Sequence, residues 1–130
     1  MQLNSWGRLM TITRQHNETE FPELAGKYCE RILGVGTDIT DEFSIFFIVI
    51  SGIMYKFFID EGVLFWDKCL QDPEEDLDEG ERYVDILPSF RLNSANVVKI
   101  EMKNKKLLVQ LDKGTILFED NDGSTIVKCL

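Results

Sequence analysis

The chain has 130 residues, 44% of them apolar, 11% aromatic and 28% charged. That is enough for a single domain, residues 1–130, with one core, and too rich in aromatic and β-branched residues for a disordered chain. Fourteen Lys and Arg stand against 23 Asp and Glu, a net charge of −9, so the expectation is that phosphate backbones and anionic lipid surfaces repel it: no nucleic acid and no membrane as partner.

Residues 1–30 hold no uninterrupted apolar stretch of the roughly 7 to 15 residues that a secretory leader needs. Three cysteines, Cys29, Cys69 and Cys129, are odd in number and far apart, which is neither a disulfide framework nor a metal-ligand spacing. A cytoplasmic location is the expectation. Asn17-Glu18-Thr19 matches the glycosylation acceptor pattern, which matters only in a secretory pathway.

The first segment, from Trp6 to Gln15, is ambiguous. Leu3, Trp6, Met10 and Thr13 are helically spaced, whereas Thr11-Ile12-Thr13 prefers an extended chain. Residues 19–34 predict a helix, because Phe21, Leu24, Ala25, Tyr28 and Ile32 recur every three or four residues. Thr19 suits the N-cap, Pro22 the first turn, Arg31 the C-terminal dipole and Gly34 the left-handed closing position.

Strands follow. Phe43–Ile50 has seven apolar residues in eight and predicts a strand covered on both faces; the apolar run that continues to Met54 is far short of the roughly 20 residues of a membrane span. Ser51-Gly52 turns into Ile53–Asp60, and Glu61-Gly62 turns into Val63–Leu70, a three-stranded meander. Asp72–Glu81 carries seven carboxylates and a single apolar side chain, Leu77, and predicts a solvated loop. In the last third, strands are predicted around 97–102, 107–112, 115–119 and 125–130, with turns at Lys103-Asn104-Lys105, Lys113-Gly114 and Asn121-Asp122-Gly123. The expected fold class is α+β: an antiparallel sheet of about seven strands, in meanders that can curl to a partial barrel, with one or two N-terminal helices.

Catalytic chemistry finds little support. His16 is the only histidine, which excludes a multi-histidine metal centre. No nucleophile elbow, zincin pair or phosphate loop occurs, and Gly34-Val35-Gly36 is only a fragment of a dinucleotide fingerprint. The carboxylate run fails the calcium-loop register: with Gly80 at the glycine position, Leu77 falls where an oxygen ligand is required. The expectation is therefore no enzyme, no catalytic residue, no metal and no cofactor.

Charge is the sharper signal. Residues 72–85 carry eight acids and one Arg, while residues 91–130 have two more bases than acids. A dense carboxylate patch speeds encounter with a basic protein and can take the place of phosphates in its cleft. The expected partner-binding residues are Asp72, Glu74, Glu75, Asp76, Asp78, Glu79 and Glu81, with Tyr83 and Trp66 as candidate aromatic anchors; at strand positions, aromatics are more often core.

In type, a cytoplasmic, single-domain acidic protein without catalytic apparatus resembles the immunity proteins that bacteria make against nuclease or pore-forming toxins. That resemblance rests on no motif and carries no residue across. It implies an inhibitor of a nuclease-type toxin with a basic protein as partner, and self-association stays open. The alternative is a small apolar-ligand binder whose curled sheet encloses a pocket lined by Phe46, Tyr55, Phe57, Phe65 and Phe118, against the simpler reading that these rings fill the core. Of the three thiols, at least two are expected to react slowly in the native state.

Overall fold

The computed structural model describes residues 2–3, 9–10, 14–37, 42–69, 77, 79–121 and 124–130. Its elements in chain order are β1 (Gln2–Leu3), β2 (Leu9–Met10), β3 (Arg14–His16), β4 (Thr19–Glu20), a 3-10 turn (Pro22–Leu24), β5 (Tyr28–Thr37), β6 (Glu42–Ile50), β7 (Ile53–Asp60), β8 (Val63–Cys69), β9 (Glu81–Asp85), a one-turn helix α1 (Ile86–Ser89), β10 (Ala95–Lys103), β11 (Lys106–Leu111), β12 (Gly114–Asn121) and β13 (Ser124–Cys129). Among the described residues β1 and β2 pair with each other, and the remaining strands form one 11-stranded sheet.

All seven strands expected after residue 42 are present, and three of their turns follow the chemistry of tight hairpins; the turn expected at Lys113-Gly114 falls on Asp112-Lys113, with Gly114 opening β12, and Asp122-Gly123 lies outside the described residues. Ser51-Gly52 and Glu61-Gly62 have φ of 47° and 81°, and of 51° and 77°. A two-residue turn with both φ positive matches the right-handed twist of the strands it joins, and glycine takes its second position without strain. Asn104-Lys105 does the same between β10 and β11. β10, β11, β12 and β13 then run as an antiparallel meander, with one register shift between Val97 and Lys99 of β10.

The N-terminal helix does not exist, and with it the α+β class falls: the protein is nearly all antiparallel sheet. Thr19-Glu20 pairs with β10, Pro22–Leu24 makes the 3-10 turn, and Tyr28–Thr37 is a long strand. Where residues 6–15 are described, they too are extended.

The helical-looking spacing has two physical origins. A register shift between Cys29 and Arg31 puts an extra residue into β5, so the inward-facing Cys29 and Ile32 fall three apart instead of two. Beyond the shift, the inward positions after Ile32 are Gly34 and Gly36, so no apolar alternation marks this face. A Cβ at Gly34 would lie 2.5 Å from Cδ1 of Phe43, and one at Gly36 would lie 2.8 Å from the Glu42 carbonyl oxygen. Neither glycine is left-handed; each makes room for the ring of Phe43 and the backbone of β6. Tyr28, placed on the buried face by the helical reading, is 45% exposed.

β5 also closes the sheet. It pairs along β6, and at its start Tyr28 and Cys29 pair with Asn96 and Ala95 of β10. β6 shares its other edge: residues 42–43 pair with β13 and residues 46–50 with β7. The ring β5-β6-β13-β12-β11-β10 is therefore a closed six-stranded barrel, not a partial one, with β7, β8 and β3 continuing from one side and β9 from the other. A strap of residues 21–27 lies across β10, held by Phe21 N–H to the Ile100 carbonyl (3.0 Å), Gly26 N–H to the Val97 carbonyl (2.7 Å) and Val97 N–H to the Lys27 carbonyl (2.8 Å).

The interior is aromatic. Phe46, Phe57 and Phe118 form a mutual ring cluster with centroids 4.7 to 5.3 Å apart, inside a shell that includes Ile32, Ile48, Ile59, Ile100, Val109 and Ile116. On the outer face of β5–β8 a second cluster gathers Leu33, Val35, Ile45, Phe47, Met54 and Phe58, so β6 is buried on both faces as its composition predicts. Among the described residues no helix is long and apolar enough to cross a membrane.

Candidate functional site

Of the expected partner-binding residues, Asp72, Glu74, Glu75, Asp76 and Asp78 lie outside the described residues. Glu79 is exposed in the turn that leads into β9. Glu81, expected in a loop, instead opens β9 opposite Thr37. Tyr83 is half-buried opposite Val35, its ring meeting Phe47 edge-on at 6.3 Å, so it ties the end of the acidic run to the outer cluster.

Trp66 is 8% exposed and belongs to the interior. Its Nε1–H donates to Nδ1 of His16 at 3.0 Å, Phe21 meets it edge-on at 4.9 Å, and the Arg14 guanidinium lies 4.7 Å over its ring. These contacts fasten β3 to β8 at one edge of the sheet, whereas Glu81 and Tyr83 stand at the opposite edge. The fold does not bring Trp66 to the acidic residues.

It does bring together carboxylates that sequence spacing scatters. Arg82 pairs with Gly36, Gly36 with Phe43, Phe43 with Thr125 and Thr125 with Asp120. One row thus crosses β9, β5, β6, β13 and β12, a span of about 19 Å at the usual strand spacing, and it marks one end of the barrel. Glu81 and Glu42 stand beside this row, and Asn121 Nδ2–H donates to Glu42 Oε1 at 2.7 Å. The β7–β8 turn adds Asp60 and Glu61. The Asp60 carboxyl is pushed up from its ordinary value by burial, then by the charges of Glu61 and Asp120, as crowded like charges require.

The end is thus rimmed by Glu79, Glu81, Glu42, Asp60, Glu61 and Asp120. Bases are present too: Arg82 belongs to the row, and Lys106 and Lys128 reach Glu119, next to Asp120, at 3.6 and 3.4 Å. Glu42, Asp60, Glu61 and Asp120 were missed by sequence reasoning. Their one signal is position: Asp60-Glu61 and Glu119-Asp120 are acidic pairs next to hairpin turns, but only closure of the barrel makes them neighbours.

The residues of the apolar-pocket alternative are placed differently. Phe46, Phe57 and Phe118 touch one another, and Phe65 lies on the outer face, stacked on Phe58 at 4.8 Å. The apolar gap beneath Phe21 and Leu24, bordered by Tyr55, Phe57 and Trp66, holds about 20 Å³, room for about one water and none for an organic ligand. Cys29 lies in the interior, its thiol pushed up to about 12 by burial and then by the charge of Glu30, while Cys129 is exposed. Among the described residues no group of three or more His, Cys, Asp or Glu could hold a metal ion. Compared with models of known families, with curated proteins and with solved structures, the chain finds no match.

Proposed function

We propose that this is a cytoplasmic acidic binding protein that neutralises a basic partner protein, and specifically that it is an inhibitor of a nuclease-type toxin of the bacterial immunity kind. The observation that carries the reading is that barrel closure gathers acids from separate connections at one end, where Glu42, Asp60, Glu61 and Asp120 join Glu79 and Glu81 and outnumber the bases Arg82, Lys105 and Lys106. The run from 72 to 81 leads along the chain into β9, and Glu81, Glu42 and Asp120 stand on or beside the row that crosses β9, β5, β6, β13 and β12, with Arg82 as the one base in that row. Carboxylates fixed on strands lose less freedom on binding than those on a free loop, so one surface serves both for steering and for contact.

The test is growth of bacteria expressing a panel of basic nuclease toxin domains, each with the native chain or with a variant carrying D72N, E74Q, E75Q, D76N, D78N, E79Q and E81Q. Protection by the native chain against at least one toxin, lost in the variant, is the expected result. No protection anywhere in the panel, or protection indifferent to the seven charges, overturns the proposal.

A further inference from the structure

Asp120 and Thr125 face each other across β12 and β13, so their side chains project to the same side of the sheet. That side is the interior, because Ile116 and Phe118 precede Asp120 at two-residue steps and Val127 follows Thr125. Thr125 is fully buried, and among the described residues neither its Oγ1 nor Asp120 Oδ1, also buried, has a hydrogen-bond partner. Folded proteins leave very few such atoms unsatisfied, and a carboxylate oxygen and a hydroxyl orphaned side by side mark a place where a donor belongs.

The surroundings specify its charge. Asp60 and Glu61 stand in the adjacent turn, and the field of Glu61 and Asp120 is felt at Asp60. Lys106 and Lys128 are engaged with Glu119. The stem of Lys105 lies along Gly62, where its Cγ sits 2.7 Å from the position of a Cβ. Next to the pair, a groove of about 440 Å³ runs between Glu61-Gly62 and Asn104-Lys105 and has Asp120 in its lining, at the small end of the range for ligand clefts. Asp120 as a whole is only half-buried, so its carboxylate borders the groove, and no hydrogen bond to Oδ1 fixes its broad terminal torsion.

Resting on the reading above, we infer that this barrel end seats one cationic side chain of the basic partner, a lysine or an arginine, in the groove at the Asp120 carboxylate, behind which the Thr125 hydroxyl lies buried. An ammonium or guanidinium in the groove supplies N–H donors to the Asp120 carboxylate, and a carboxylate oxygen turned toward Thr125 accepts from its hydroxyl. A divalent ion fits less well, because it wants six or more oxygens and several carboxylates, and no three metal-ligating acids gather here among the described residues.

The probes are Nα-acetyl-lysine methylamide, the corresponding arginine derivative and the uncharged norleucine isostere, titrated into the full chain while the Thr125 methyl and the Asp120 and Asn121 amides are followed by NMR. Saturable shifts with the two cationic probes and none with norleucine are expected, weakened at least tenfold in D120N and less in T125V. Persistence of the other cross-peaks shows that each variant is folded. No saturable shift, an equal response to norleucine, calcium saturating the same peaks at lower concentration than either probe, or K105M shifting them as a vacated seat would, each overturns the inference. The titration needs no partner. A saturable shift alongside failed toxin protection therefore refutes the inhibitor reading alone, and protection that D120N leaves untouched refutes the seat alone.

Discussion

The four strands from Ala95 to Cys129 and the segment from Arg14 to Thr37 contribute to the same sheet by opposite means. In the first, a single bulge in β10 sets the core-facing Val97 and Ile100 three apart, and beyond it the residues that face the core, Ile100, Met102, Leu107, Val109, Ile116 and Phe118, recur every second position within each strand. In the second, a 3-10 turn, a bulge and two inward glycines break the alternation. The meander supplies the wall and the irregular segment closes it. Closure asks the chain to fit strands already in place, and a strand that must accommodate the ring of Phe43 surrenders its own side chains there.

The largest effect expected from probing this difference comes from truncating one ring on each side. Phe118 is fully buried and touches both Phe46 and Phe57, whereas Phe21 anchors the strap against Trp66. F118A is expected to cost about 4–5 kcal/mol and F21A about 3, within the usual range for a buried phenylalanine, read as the shift in urea midpoint at constant slope. A larger loss for F21A would mean that the strap, and not the ring cluster, is the keystone.

Next in size is a comparison of two glycines. A Cβ at Gly36 meets backbone, the Glu42 carbonyl oxygen, at 2.8 Å, while one at Gly114 meets the end of a flexible side chain, Leu92 Cδ2, at the same distance. G36A is expected to destabilise by about 1–3 kcal/mol and G114A by less than about 1, because side chains yield where strands do not. Equal costs would show that β5 is not tightly fitted to β6.

His16 tests the outer fastening. Replacing it by alanine leaves the buried Trp66 N–H without its acceptor, for an expected loss of about 1–2 kcal/mol. Faster amide exchange should be confined to the β3–β8 pairing, leaving the meander as protected as before. Uniform loss of protection would contradict a locally fastened edge strand.

How much of this was readable follows from the same contrast. Hairpins with dyad alternation and turn dipeptides announce themselves locally, which is why every strand from Glu42 through Cys69 and from Ala95 onward was expected. Cys29, Ile32, Gly34 and Gly36 share an inward face only after a bulge that the sequence does not advertise. The candidate site was half visible: composition singled out the run from Asp72 to Glu81. The barrel end also needs Glu42, Asp60, Glu61 and Asp120, which come from three hairpin connections. Their proximity depends on β6 splitting one edge between β7 and β13, a property of the closed sheet and of no single stretch of chain.

The smallest effect is the one that probes this end most directly. Because burial and the charges of Glu61 and Asp120 raise the Asp60 carboxyl above its ordinary value of 3.8, the folded protein holds that proton more tightly than the unfolded chain. Stability falls with rising pH wherever the folded state binds more protons. The loss therefore accumulates as pH rises from the ordinary value through the raised one, stays constant at neutrality and vanishes below both. D60N removes the ionisation and should raise the melting temperature at pH 7 by the equivalent of less than about 1 kcal/mol, since a partly exposed charge is screened. The gain should shrink as the solution is acidified through the window and disappear at its lower end. Added salt should reduce it at pH 7 as well, because most of what remains after burial is repulsion from two neighbours. A gain that persists in acid would assign the effect to packing in the β7–β8 turn, and a loss at pH 7 would mean that the carboxylate is a favourable part of that turn, leaving Glu61 and Asp120 without the repulsive neighbour that makes a cation welcome there.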